Sequence, residues 1–303
     1  MRKFVALALA LALAAGFVAG CGKSAPNQPL GQSATPTAED VSQVNDAVAA
    51  NPEYVNEDVY ESNDPSQLEA GGSALAAIRP LLWWRNIRSV TRRFETAFTN
   101  PDSNGRPTMA VVTVHKRLLG SFNILVGDSA RSPDSLLRKP LDDRWVRRLL
   151  LQRVRMDSTG QARWRLVGTS GVEVTSEGAV TSLQSVRVQA GVLDTTITDP
   201  LQMHRLRRVL HIPTGTEVVL TVKTGSEDDL VLFYRWMHRA RFHNQGGGTF
   251  TFRWTTGAEG GLRHFGVNAL SHGTLFDDTA AYDSNAWLFA FVVFDADDAL
   301  ARN

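Results

Sequence analysis

Cysteine is almost absent from this chain: its 303 residues contain one, Cys21. A single thiol excludes an internal disulfide framework and a cysteine-ligated metal site, so stability must come from packing. Lysine is scarce too, 5 against 27 arginines, and with a net charge of +1 this bias reflects a GC-rich composition rather than a nucleic-acid surface. After the first twenty residues the longest apolar run is Trp287 to Phe294, far short of the roughly 20 residues that span a bilayer. A phosphate-binding loop, a dinucleotide fingerprint and the Asp-x-Asx-x-Asx-Gly calcium loop are all missing. What remains is a chain that is 43% hydrophobic, enough for proper cores, and long enough for two domains.

The most ordered pattern lies at the start. Arg2 and Lys3 precede an apolar segment from Phe4 to Val18, closed by Val18-Ala19-Gly20-Cys21. This resembles the lipobox of bacterial lipoproteins. The resemblance implies a signal peptide over residues 1–20, cleavage before Cys21, and lipidation at Cys21 with diacylglycerol on the sulfur and a palmitate-type chain on the amine. Two or three chains at about 0.8 kcal/mol per buried methylene make a stable membrane anchor. The implied location is the cell envelope, and Gly22 in place of aspartate favours the outer membrane if the organism is diderm. An ordinary secretory signal, with Cys21 incidental, is the alternative.

Charge divides the rest. Residues 22–73 hold nine acidic residues and one basic, whereas residues 74–303 carry a net charge of +7. The acidic part is rich in Pro, Gln, Asn, Ser, Thr and Ala and ends at Gly71-Gly72-Ser73, a composition that predicts a largely disordered tether over 21–73. Val41, Val44 and Val48 fit a short helix before Pro52. A solvated spacer is the simpler reading, and an acidic arm docked on the body or on a basic partner is the sharper one.

The body predicts a mainly β fold of antiparallel sheets. A β-rich or α+β domain is expected over 74–200, with a possible helix from Ala74 to Ile87. Val90 to Phe98 reads as a strand turning at Asn100–Pro107 into Thr108–Val126, whose even positions are apolar and whose Gly120 marks a bend. Val146–Met156 and Arg163–Val174 form a further hairpin, followed by a strand at Ser182–Gln189. With Asp199-Pro200 as the junction, residues 201–303 place strands at Val209–Ile212, Glu217–Lys223, Leu230–Trp236, Thr249–Trp254, Leu262–Leu270 and Ala286–Asp295. Short strands between glycine-rich turns look like an immunoglobulin-like sandwich, a resemblance of pattern without the paired cysteines.

Four constellations bear on chemistry. Gly127-Asp128-Ser129 after an apolar strand resembles the first block of the GDSL/SGNH hydrolases, which implies Ser129 as nucleophile, and Gly266-Val267-Asn268 imitates a second block. No aspartate lies three residues before a histidine, however, and the α/β alternation of that family is missing. His238, His243, His264 and His272 lack the spacing of a zinc site. Asp277, Asp278 and Asp283 are the best candidates for a cation site, with calcium as the possible ion, although solvated loop carboxylates are the simpler account. Of the seven tryptophans, Trp254 and Trp287 fit a core, while Trp83-Trp84 could expose one ring to a glycan.

Catalytic residues and cofactors are therefore not expected. The sequence predicts a lipid-anchored, non-enzymatic envelope protein that acts by binding or assembly, with an envelope protein or glycan as partner and no nucleic acid. The alternative is a carrier of a small apolar ligand or glycan, held over the Thr108–Val126 strand, and a hydrolase stands third.

Overall fold

A computed structural model describes residues 32–55, 60, 66–67, 76–128, 132–155, 162–235 and 238–295. Within these, α1 (Ala38–Ala49) and a 3-10 turn (Pro52–Tyr54) precede β1 (Ser66–Gln67) and four long strands, β2 (Pro80–Pro101), β3 (Pro107–Asp128), β4 (Ser132–Arg155) and β5 (Ala162–Ser176). Next come β6 (Leu183–Ala190), β7 (Leu193–Ile197), β8 (His204–Arg205), a 3-10 turn (Leu206–Arg208), β9 (Leu210–Pro213), β10 (Glu217–Thr224), β11 (Leu230–Arg235) and β12 (His238–Arg241). The chain then runs through β13 (His243–Gly246), β14 (Thr249–Thr255), β15 (Gly261–Leu270), α2 (His272–Phe276) and β16 (Ser284–Phe294). The protein is mainly β, with antiparallel sheets packed as a sandwich. No helix among the described residues is long and apolar enough to cross a membrane.

Eleven strands form one sheet, ordered β1-β2-β3-β4-β5-β16-β15-β11-β12, with β8 attached to β5 and β9 to β16. Five form the second, β13-β14-β10-β6-β7. Between the sheets lies a core built on Val188, Val218, Leu220, Phe233, Phe250, Phe265, Phe289 and Phe291. The opposite face of the large sheet carries a second core, in which Trp83, Leu118, Phe122, Trp145, Val172, Leu232 and Leu288 meet α1. Strands β11, β15 and β16 therefore serve both cores: Val231 and Phe233 face one, Leu230, Leu232 and Tyr234 the other. This double burial explains why Trp287 to Phe294 reads as a continuous apolar run.

Alternation governs the long strands. Ala110, Val112, Val114, Leu118, Phe122 and Ile124 of β3 are all buried, as the even-position pattern predicts. Gly120 sits opposite a bulge in β2, where the register shifts between Ile87 and Ser89. The helix expected over Ala74–Ile87 is not what residues 80–87 form. Pro80 instead opens β2, a position where a missing N–H is tolerated, and the ladder with β3 puts Trp83 and Arg85 inward with Trp84 on the other face.

Within the acidic segment predicted as a tether, residues 32–55 are folded on the body. Thr37 caps α1, with reciprocal hydrogen bonds between Thr37 and Asp40, and Val44 and Val48 are buried in the core against β5. Gln32 and Ala34 exchange backbone hydrogen bonds with Asn100 and Phe98, while Ser66–Gln67 pairs with Leu82–Trp83 at the other end of β2. Asp199-Pro200 lies between strands that share both sheets: β6 pairs with β10, and β5 pairs with β16.

Candidate functional site

Charged side chains are unusually frequent on the inner face of the long strands, where Arg85, Lys116, Lys139, Asp143 and Arg147 are all buried. Each is partnered through residues distant in sequence. Asp143 Oδ2 accepts hydroxyl hydrogen bonds from Tyr60 and Tyr282, both at 3.2 Å, and lies 3.8 Å from the Arg85 guanidinium. Arg85 in turn donates to the Tyr60 carbonyl and stacks 3.8 Å over its ring. Arg147 donates to the Tyr54 carbonyl at 2.6 Å, and Lys116 lies 4.3 Å over the Trp145 ring. Tyr234, Asn268 and Ser284 extend the network, with Asn268 Nδ2 donating to Tyr234 at 3.2 Å and Ser284 donating to Asn268 at 2.8 Å.

Burial sets the electrostatics here. It pushes the Asp143 carboxyl up to about 6 against the opposing pull of Arg85 and the two tyrosines, and it holds the Tyr60 and Tyr282 hydroxyls above their ordinary range. Asp40 behaves oppositely. Burial would raise it, but hydrogen bonds from Thr37 and Trp164 and the charge of Arg106 hold it below the usual carboxylate value. Asp143 has no accessible surface and its neighbours are protein side chains, so this cluster ties the arm, the long strands and the approach to β16 together.

The residues singled out from sequence are dispersed. Cys21 and Ser129 lie outside the described residues. Gly127 packs against Leu81 at the end of β3, whereas Asn268 is on β15, four strands away in sheet order. The Asp277 carboxylate accepts from Thr279 N and Oγ1 and from Ala280 N. Asp283 accepts from Val180 N, Thr181 N and Thr181 Oγ1. Asp278 follows in the same loop, where the carbonyls of Gly273 and Asp277 receive Lys139 Nζ at 2.9 and 2.7 Å. No group of three or more His, Cys, Asp or Glu side chains among the described residues is arranged to hold a metal ion. His243 and His264 stand on different sheets, and His272 stacks on Phe276. Trp83, Trp145, Trp164 and Trp287 are buried, while Trp84 and Trp254 are half-buried, Trp254 against Phe233.

Sequence reasoning passes over an open cleft of about 400 Å3, bounded by β5, β7, β16 and the segment from Asp199 to His211. Its origin is a fork in the large sheet. On one side β16 pairs with β5 as far as Leu288 and with β9 from Phe291 onward, which leaves Phe289 and Ala290 facing the gap. Gly171 permits the divergence, since a Cβ there would meet Leu288 O at 2.8 Å and Pro200 O at 3.0 Å. Leu193, Ile197, Val209, Leu210, Phe289 and Ala290 supply apolar surface. His204, Arg208 and His211 are exposed at its polar margin. The available signal was the run His204-Arg-Leu-Arg-Arg208 with His211 close behind. Comparison of the chain with protein-family models, with curated proteins and with solved structures returned no match.

Proposed function

We propose that this is a lipid-anchored protein of the cell envelope that acts by binding rather than by catalysis, and that the cleft at the β5–β9 fork is its binding site. The anchor rests on Val18-Ala19-Gly20-Cys21 at the end of an apolar segment. The binding role rests chiefly on one observation, a cleft of about 400 Å3 that combines an apolar floor with a few polar side chains, the usual composition of a small-molecule site. The face of β3 that would have held an apolar ligand is packed with core side chains, which supports the fork rather than the long hairpins as the site.

Two measurements test the proposal. Wild-type protein should fractionate with membranes and Cys21→Ala should be released; tight attachment of that variant would refute the lipid anchor. For binding, thermal unfolding of the full chain carrying Cys21→Ala is followed with small apolar molecules, envelope glycans and calcium. A ligand at 100 times its dissociation constant adds about 2.7 kcal/mol to the folded state. Stabilisation by an apolar ligand, lost in Ile197→Glu, supports the cleft. No stabilisation by any of them would move the role to recognition of another protein.

A further inference from the structure

The chemistry of the cleft narrows its ligand, given the binding role proposed above. Its floor is formed where β7 and β9 approach β16, and Leu193, Ile197 and Leu210 lie half-buried there beside Phe289. Half-buried aliphatic side chains round an open space can cover an apolar body without first unpacking the core. The margin is not neutral. Arg208 and two histidines line it, and Arg205 and Arg207 are exposed beside them.

Only one carboxylate belongs to the lining, Asp199, and its Oδ1 already accepts the Leu201 N–H at 2.8 Å, holding the turn into β8. The remaining polar side chains, Thr169, Ser170, Thr195 and Gln202, are uncharged. Ser170 is committed to the sheet, donating to Gly171 O and accepting from Arg148 N. The main chain adds a further polar contact. Leu288 O lies on the Gly171 side of β16 and Trp287 O on the Gly266 side, so by the two-residue period the main chain of Ala290 faces the fork.

We propose that the cleft binds a small amphipathic anion, its apolar body against Ile197, Leu210 and Phe289 and its carboxylate at Arg208 and His211. A cationic ligand would meet Arg208, with Asp199 as the one carboxylate in the lining to offset it. A flat sugar would find no tryptophan in the lining to stack on.

The test is calorimetric titration of the full chain carrying Cys21→Ala with decanoate, with decanol as the uncharged control, and with phosphatidylglycerol vesicles. Decanoate should bind at least about tenfold more tightly than decanol, the contrast expected from one charge-assisted contact. Arg208→Ala with His211→Ala should remove that advantage while leaving decanol binding unchanged. Ile197→Glu should abolish both. Equal affinity for decanoate and decanol, or no effect of the Arg208–His211 double variant, overturns the anion and leaves the apolar-binding proposal standing. Binding of neither molecule overturns both. Binding to vesicles alone overturns a free amphipathic anion in favour of a lipid surface.

Discussion

The Tyr60 hydroxyl donates to Oδ2 of Asp143 at 3.2 Å, joining residues 83 apart in sequence. Tyr282 donates to the same oxygen from the far end of the chain, and Arg85 supplies the counter-charge at 3.8 Å without a closed hydrogen bond. A buried pair of this kind is weak evidence for stability, because removing two charges from water costs as much as their attraction returns. Its value lies in specificity, since a buried carboxylate tolerates only the fold that brings these three groups to it.

Asp143 should make the protein more stable in mild acid. Burial raises its carboxyl from 3.8 to about 6 in the native state, so the folded chain holds this proton more tightly than the unfolded chain does. The stability it contributes is complete below about pH 3.8 and is lost as pH rises to about 6, a change of about 3 kcal/mol. Asp143→Asn cannot titrate and removes the counter-charge that faces Arg85 above about pH 6. Urea unfolding should find the variant less stable at both pH 4 and pH 7, with the larger deficit at pH 4. An equal deficit, or a larger one at pH 7, would contradict the assignment.

Asp40 should respond in the opposite sense. Its carboxylate accepts the Thr37 N–H and hydroxyl, the Trp164 indole at 3.1 Å and Arg106 at 3.1 Å. These partners hold its carboxyl below 3.8, so its contribution is present above that pH and lost as pH falls through the lowered native value. Asp40→Ala removes both the capping partner and the anchor of α1, a loss of about 2 kcal/mol at pH 7. Amide exchange in α1 should accelerate while exchange in β10 and β14 stays as in wild type. Uniform acceleration would mean that the arm is not a separately loosened unit.

Gly120 should not tolerate a side chain. An exposed glycine at ordinary φ gains stability on change to alanine, by about 0.4–1 kcal/mol. A Cβ at Gly120, however, would lie 2.0 Å from Asn86 O across the bulge. Gly120→Ala should therefore destabilise the protein by about 2 kcal/mol or more through displacement of β2, as read from the denaturant midpoint. Gly178 provides the comparison. Its φ of +71° disfavours alanine, but nothing lies within 4 Å, so Gly178→Ala should cost about 1 kcal/mol.

The strands most legible in the sequence are those whose partners impose a simple alternation. Thr108–Val126 and the β10, β14, β15 and β16 segments fall within a residue or two of the predicted bounds, because their inward positions are apolar. The first half of β4 gives no such signal. Its inward Lys139 and Asp143 look like surface charges, and only Gly273, Asp277, Tyr60, Arg85 and Tyr282, all remote in sequence, make their burial possible. Composition misleads for residues 32–55 for a related reason: Val44 and Val48 are too few to declare a folded segment, and they dock because β5 offers a ready core. The cleft is least legible. It exists where β5 leaves β16 and β9 replaces it, a parallel pairing that no local pattern encodes.

The two halves on either side of Asp199-Pro200 should fail to fold apart. Cutting there separates β6 from β10 along seven paired positions, removes β16 from β5, and breaks the anchors from Thr181 to Asp283 and from Leu183 N to Asn285 Oδ1 at 2.9 Å. Residues 22–199 would expose the edges of β5 and β6, and residues 200–303 would expose Leu232, Tyr234 and Leu288, which pack in the core shared with the long strands. Because β11, β15 and β16 carry side chains of both cores, neither core can melt without stripping one face of the other. Calorimetry of the full chain should show one transition, with calorimetric and van't Hoff enthalpies in agreement. Each fragment alone should lack a cooperative transition, and mixing the two during refolding should restore it. A fragment that unfolds cooperatively by itself would show that the shared strands do not couple the cores.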